Sequence, residues 1–297
     1  MIDKRKNEIV VVGTIYPAVS RYISDYLFSL NEQSFNEFDI LLANDGLHGF
    51  DFLSDSCSNF KKIINVSGSA ADNRRELISL AIEMGYKKVI FTDCDDTFEK
   101  NRLEVINQLL ENNSVVVNDL DLTNESGMEQ EPKYFSQRFN QGDKINMDMI
   151  CHGNIMGLSN TAVRIDALSE IFALKEGNSI AFDWYLWACV FQSGHSAIFA
   201  NNTSTKYRIY GNNTAGLPQM IDETSVCKGI EVKRQHYKLM RTFSSVYDDL
   251  YSEFEELSYK WKNKAWRSEY ICALNHNAIE KHMWWENIRP RSEVGMV

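Results

Sequence analysis

Through the first half of the chain the apolar residues come in short solid runs. Ile9–Ile15 (IVVVGTI), 38–43 (FDILLA), 61–66, 89–91 and 114–118 (SVVVN) carry β-branched or aromatic side chains and end at polar or turn residues. That is the pattern of strands covered on both faces. Between them the apolar positions recur at three and four: Val19, Tyr22, Ile23, Tyr26, Leu27 and Leu30, then Leu77, Leu80, Ala81 and Met84 before Gly85, a natural helix stop. Arg102–Leu110 reads as a further helix. Alternation of this kind predicts βαβ units and a mostly parallel α/β sheet, whose ligands bind at the carboxyl ends of the strands.

The second half is patterned differently. Residues 120–148 are polar and read as a surface excursion, 150–158 as a bulged strand, and 161–172 as a helix. Residues 179–191 (SIAFDWYLWACVF) are apolar almost throughout, with Asp183 as the single acid. A short strand at 196–200 and a glycine- and asparagine-rich loop at 207–216 follow. From 230 to 261, Tyr237, Met240, Phe243, Tyr247, Leu250, Phe254, Leu257 and Trp261 keep one helical spacing, which predicts a single long amphipathic helix. A second helix carries Ile271, Leu274, Ala278 and Met283. The composition shift at Pro218 divides the chain into a domain at 1–217 and a helical extension at 218–297.

Bulk composition narrows the classes. The 297 residues carry a formal charge of −10, which excludes a broad nucleic-acid footprint. Six cysteines without a CxxC pair suggest neither a zinc site nor a redox pair, and reduced thiols in a cytoplasmic setting are expected. There is no apolar stretch of membrane-spanning length and no signal-peptide pattern behind Met1.

The chemistry centres on Val89-Ile90-Phe91-Thr92-Asp93-Cys94-Asp95-Asp96-Thr97, an apolar strand running into three carboxylates. Crowded carboxylates repel unless something positive sits among them, and a hard divalent cation is the usual solution. Such a cation would in turn hold a diphosphate. A helix cap is the alternative use of an acid here, and Asp96 is open to either. His152 and His195 are candidate third ligands. Asp45, ending the second strand in Asn44-Asp45-Gly46, could accept the ring N–H of a uracil or thymine or serve only the turn. Arg74 and Arg75 open a helix before the acid strand and could face a phosphate. Asp183 is costly to bury unpaired, so it either lines a cleft as a base or is used structurally, capping its helix or pairing with Arg208. Trp184, Tyr185 and Trp187 could stack on a sugar or fill a core.

The same acid run fits hhhhDxDxT, the nucleophile motif of haloacid-dehalogenase-type phosphatases, with Asp93 as phosphoryl acceptor. That family opens its catalytic domain with the motif, whereas several strands precede it here. Its later GDxxxD element has only Gly142-Asp143 with Asp148 as a counterpart, and no apolar strand leads into it.

The order of motifs resembles the family 2 glycosyltransferases of the GT-A fold. Tyr16-Pro17 follows the first strand, and Ser29-Leu30-Asn31-Glu32-Gln33-Ser34-Phe35 is similar to the family's SLxxQ(S/T)(F/Y) phrase. Asn44-Asp45-Gly46 resembles DDGS, residues 68–74 (GSAADNR) are similar to GxxxARN with the Arg/Asn order altered, and Asp93, Asp95 and Asp96 match DxDD. Phe182-Asp183-Trp184 resembles the catalytic ED element. Tyr207-Arg208-Ile209-Tyr210-Gly211-Asn212-Asn213 resembles YRxHGNN, with Tyr210 where a histidine is common.

The resemblance spans about residues 8–216 and implies a GT-A-type sheet with a Rossmann-like nucleotide-binding half. It implies inverting transfer of a sugar from a nucleoside diphosphate sugar (UDP- first, dTDP- or GDP- as alternatives) to a glycan or lipid-linked acceptor, as in surface polysaccharide synthesis. Thr14, Tyr16, Asp45, Arg74, Asp93 and Cys94 would line the donor site. Mn²⁺ or Mg²⁺ would sit mainly on Asp95, with Asp93, Asp96 and His152 as further candidates. Asp183 would be the base, and Trp184, Tyr207, Arg208, Asn212 and Asn213 would serve the acceptor or a closing loop. The extension, with its basic and aromatic stretches at 259–267 and 282–285, would pack on the domain, form a homodimer or touch the inner membrane face. A non-catalytic nucleotide-sugar-binding protein is the remaining alternative.

Overall fold

The computed structural model describes residues 7–49, 53–172, 179–210, 221–280 and 282–296. In chain order these form β1 (Ile9–Ile15), α1 (Ile23–Asn31), β2 (Phe38–Asn44), α2 (Leu53–Ser56), β3 (Phe60–Asn65), α3 (Ala70–Glu83) and β4 (Lys88–Phe91). They continue with β5 (Thr97–Phe98), α4 (Arg102–Leu110), β6 (Val115–Thr123), β7 (Glu129–Glu131), β8 (Lys144–Ile145), α5 (Met147–Ile150), β9 (Thr161–Arg164) and α6 (Ile165–Phe172). The last are α7 (Phe182–Gln192), β10 (Ala197–Arg208), α8 (Glu223–Met240), α9 (Ser245–Lys260) and α10 (Lys264–His276).

The strands form one mixed sheet in the order β3-β2-β1-β4-β9-β6-β10-β5, with β7 on β6 and β8 on β10. The β3-β2-β1-β4 half is parallel. β9 lies antiparallel between β4 and β6, and β10 pairs parallel with β6. β1 and β2 are buried almost end to end, which is why they read as unbroken apolar runs. α1 turns Ile23, Tyr26, Leu27 and Leu30 into that core. α3 starts at a capping box, Ser69 accepting from Asp72 N–H while the Asp72 carboxylate accepts from Ser69 N–H. It stops at Gly85, whose φ of +79° ends the helix as expected.

Several expectations change. β6 runs on to Thr123 although its second half is polar, because the carboxylates there are used. Asp119 accepts from the backbone N–H groups of Phe135 and Ser136, and Asp121 from Lys133 N–H and the Ser204 hydroxyl. The predicted helix at 161–172 begins only at Ile165, after β9. Residues 150–158 form no strand: α5 ends at Ile150 and a 3-10 turn begins at Leu158. The short strand at 196–200 and the start of the predicted loop are one twelve-residue strand, β10, with a bulge between Ala200 and Ser204.

The chain divides into two compact units. The first is drawn from Met1–Asn146, Met156–Lys175 and Gly194–Tyr210 and contains the whole sheet. The second is drawn from Met147–Ile155, Glu176–Ser193 and Gly211–Val297, so α5 and α7 group with the C-terminal helices. Within it the Trp184 indole donates to the Ile150 carbonyl (2.7 Å) and stacks on His236, with ring centroids 3.7 Å apart. The single helix expected from 230 to 261 is a hairpin. It breaks between Met240 and Ser245, and the Ser244 hydroxyl caps α9 by accepting from Val246 N–H. Tyr237, Met240, Tyr247, Leu250 and Phe254 are all buried, so one apolar spacing runs through both arms.

The basic and aromatic tail residues also have partners within this unit. Lys260 pairs with Glu256, Arg267 pairs with Glu223, and Trp285 donates to the Asn154 carbonyl. No described helix is long and apolar enough to cross a membrane.

Candidate active site

β4 ends at Phe91 in the middle of the sheet. Thr92 locks the exit from the strand: its N–H and its hydroxyl both donate to the Val12 carbonyl on β1 (2.9 Å each). The turn that follows is closed by Asp96 N–H donating to the Asp93 carbonyl (3.1 Å). Its four side chains have different surroundings. Asp93 is partly exposed and pairs with Arg74 of α3 at 3.0 Å. Cys94 is buried against β1, where a Cβ on Gly13 would come within 2.9 Å of its Sγ. Asp95 is 9% exposed, and its Oδ2 accepts from the Tyr210 phenol at 2.6 Å. Asp96 is 1% exposed and accepts from the Ser159 hydroxyl and, at 2.8 Å, from Arg208 N–H.

Burial governs the electrostatics. It raises the Asp95 carboxyl above the usual range, and the Asp93 charge raises it further. Burial raises Asp96 well above that range and keeps the Cys94 thiol protonated. Behind the turn lies Arg102, which the sequence analysis did not single out. It is fully buried, donates to Asn118 Oδ1 and to the Phe91 and Ser159 carbonyls, and is lowered to about 9 by desolvation. The only hint in the sequence is an arginine opening an otherwise apolar helical run.

The end of β10 clamps the turn from the other side. Arg208 Nε donates to the Asp95 carbonyl (2.8 Å), and its terminal nitrogens reach the Glu125 carbonyl (2.7 Å) and Asp25 (3.0 Å). Arg208 is therefore buried and clamps the turn, and it pairs with Asp25. Tyr207 precedes it in the strand. Asn212 and Asn213 lie outside the described residues.

Donor-side candidates lie along the same carboxyl edge. Asp45 follows β2, tied by its N–H to the Ile15 carbonyl (2.8 Å), and Asn73 Nδ2 donates to Asp45 Oδ2 (3.1 Å). Gly13, Thr14 and Arg74 line a small recess together with Val12, Leu77 and Thr92. Tyr16 lies in the turn after β1, near Tyr210, and burial raises its phenol above the usual range. His195 is at the opposite edge, before β10, with its Nδ1 3.0 Å from the Ser114 hydroxyl.

Asp183, Trp184 and His152 belong to the second unit. Asp183 opens α7, and its Oδ1 accepts from Trp184 N–H (2.8 Å). Trp184 is buried in that unit's core. The His152 carbonyl accepts from Lys233.

Asp93 and Asp95 suit a divalent cation that arrives with phosphates, because Mg²⁺-type sites commonly use one or two carboxylates and take the rest from substrate and water. Asp96 does not suit one: its oxygens are occupied and enclosed. Among the described residues no group of three or more His, Cys, Asp or Glu side chains is placed to enclose a metal by itself.

The mixed sheet, its parallel half and the flanking helices constitute a GT-A-like α/β fold with additional C-terminal helices. No protein-family model and no curated protein matches the chain. Solved structures of TarS from S. aureus do. The 1–349 fragment in complex with UDP-GlcNAc is similar with a TM-score of 0.59 at 15% identity, over 83% of this chain and 71% of that one. The same fragment with UDP gives 0.56 at 14% identity, over 83% and 70%. For the longer TarS structure the values are 0.55 and 14%, and the match spans 42% of that chain. At this identity the likeness is one of fold.

Proposed function

We propose that the chain is a glycosyltransferase that moves a sugar from a nucleoside diphosphate sugar, UDP-linked first of all, to a hydroxyl of a glycan or lipid-linked acceptor, with inversion. The observation that carries this reading is the placement of Asp45 after β2, Asp93 and Asp95 after β4, and Arg74 near the start of α3, where it pairs with Asp93, all at the carboxyl edge of the parallel half of the sheet. Ligands of open α/β sheets bind at that edge. The fold shared with a protein solved with UDP-GlcNAc and with UDP supports it.

Asp45, steadied by Asn73, accepts the imino N–H of the pyrimidine. Arg74 exchanges Asp93 for the diphosphate. Asp93 and Asp95 hold Mn²⁺ or Mg²⁺, whose charge offsets the negative charge growing on the departing diphosphate. Asp183 is assigned the acceptor's proton on its sequence correspondence alone.

Thermal shift with UDP, dTDP and GDP, each with and without Mn²⁺, tests the reading. UDP with Mn²⁺ is expected to raise the melting temperature of the wild type and to leave Asp95→Ala unmoved. A wild type that responds to none of the nucleotides would refute it. Transfer or donor hydrolysis that persists unchanged in Asp183→Asn would remove Asp183 from the base role.

A further inference from the structure

We propose that Tyr210 is a positioning residue for the cation-binding carboxylate: its phenol fixes Asp95 with one oxygen turned to the hydroxyl and the other offered to a divalent cation. The inference rests on the glycosyltransferase reading above, because Asp95 is a cation ligand only within it.

Both ends of this contact are anchored. Two residues before Tyr210, the Arg208 N–H and Nε bind Asp96 Oδ1 and the Asp95 carbonyl, each at 2.8 Å, so the end of β10 and the acid turn cannot slide apart. The Tyr210 ring is 9% exposed and packs against Tyr22 with centroids 5.3 Å apart, while the Arg21 guanidinium lies 5.5 Å from its centroid. Its hydroxyl then reaches Asp95 Oδ2 at 2.6 Å. A hydroxyl has one proton, and this one is spent on Asp95. The contact joins the end of β10 to the acid turn after β4.

A carboxylate beside Asp93 would otherwise swing away from its neighbour's charge. The phenol occupies one of its roughly four lone-pair sites and leaves acceptor capacity for a cation. Hydrogen bonds to a ligating carboxylate of this kind typically matter by 10–100-fold in metal affinity.

The test is Mn²⁺ binding to the full chain with UDP in excess, with free Mn²⁺ read from its EPR signal. Tyr210→Phe keeps the ring and removes the donor. It is expected to weaken Mn²⁺ binding by about 10–100-fold while leaving UDP affinity measured in EDTA unchanged. Mn²⁺ binding that is unchanged or tighter in Tyr210→Phe overturns the proposal; tighter binding would mean that the hydroxyl competes with the cation. Should Tyr210→Phe fail to fold, Tyr210→Leu, which also lacks the donor, is expected to weaken Mn²⁺ binding, and no weakening overturns the proposal. Asp95→Asn separates the two levels. If it abolishes Mn²⁺ binding while Tyr210→Phe does not weaken it, the positioning role falls and the metal reading stands. If the wild type binds no Mn²⁺, or Asp95→Asn binds it as well as wild type, both fall.

Discussion

Asp96 offers the sharpest separation of a structural acid from a ligand. It sits beside Asp95, yet both of its oxygens are committed, one to the Ser159 hydroxyl and one to Arg208 N–H. Asp96→Ala leaves those two donors buried without an acceptor, at about 1–3 kcal/mol each. The net loss is expected near ~3 kcal/mol, or roughly 6–12 °C in melting temperature. Asp96→Asn keeps the shape. Its Oδ1 still accepts from Arg208, and its amide donates to Ser159, which must turn its own proton elsewhere, so the expected cost is about 1 kcal/mol.

A second readout follows from ionisation. Burial raises the folded-state pKa of Asp96 well above 3.8, so the folded chain holds this proton more tightly than the unfolded chain. That contribution is complete below the unfolded value and is lost as pH rises through the folded one. Asp96→Asn removes it, so the variant's stability should fall less steeply than wild type as pH rises from about 4. Melting curves across pH and Mn²⁺ titration with UDP are the assays. Loss of Mn²⁺ binding in Asp96→Asn with an unmoved melting curve would refute the reasoning and make Asp96 a ligand.

Other outcomes are equally specific. Asp45→Asn swaps an acceptor for an amide at the pyrimidine edge and is expected to weaken UDP about 10-fold or more by calorimetry; unaltered affinity would move the base elsewhere. Gly13→Ala drives a Cβ to within 2.9 Å of Cys94 Sγ and 3.0 Å of Thr92 Oγ1. It should destabilise by about 1–3 kcal/mol, with partial recovery in Gly13→Ala/Cys94→Ala; a neutral Gly13→Ala would show that this edge yields. In the second unit His236 is buried without a partner for either ring nitrogen, and desolvation lowers it from 6.5 to about 3. Between those values the unfolded chain binds the proton and the folded chain does not, so acidification costs stability, roughly 2–3 kcal/mol by pH 4.5. His236→Phe should keep the stack on Trp184 and flatten the loss between pH 7 and 4.5 in urea titrations; an identical slope would contradict the assignment.

What could be read in advance follows from how local each cause is. β1, β2 and β4 are apolar along most of their length because they are buried on both faces of the pleat, so composition alone marks them. The acid turn is visible for the same reason, as an abrupt change at a strand end. β6 was legible only to its midpoint. The groups that satisfy Asp119 lie in residues 135–136, and Ser204, which serves Asp121, lies further along the chain, so the strand looked like a polar loop. The break between α8 and α9 was hidden because both arms bury the same face at the same spacing; Ser244 was the one local sign. Arg208 and Trp184 matched functional phrases by position, but their burial depends on partners such as Asp25, Ile150 and His236 that no local window contains.

The acid turn tolerates three adjacent carboxylates because each meets its charge differently. Asp96 is enclosed with two donors and has Arg102 behind it, and its ionised form is disfavoured. Asp93 is countered by Arg74 across the cleft. Asp95 accepts from a neutral phenol, and its ionised form is disfavoured first by burial and then by Asp93. The ion with most to gain from an added positive charge is therefore Asp95. Arg74 is the group whose present partner could be exchanged for a phosphate. Binding of a cation together with a diphosphate would relieve both at once. Neither alone does so: a phosphate without the cation places new negative charge beside Asp95, and a cation without phosphate leaves Arg74 on Asp93. UDP and Mn²⁺ should accordingly bind with positive coupling, each tightening the other by the same factor. Independent binding in a double titration would show that the turn does not join the two sites.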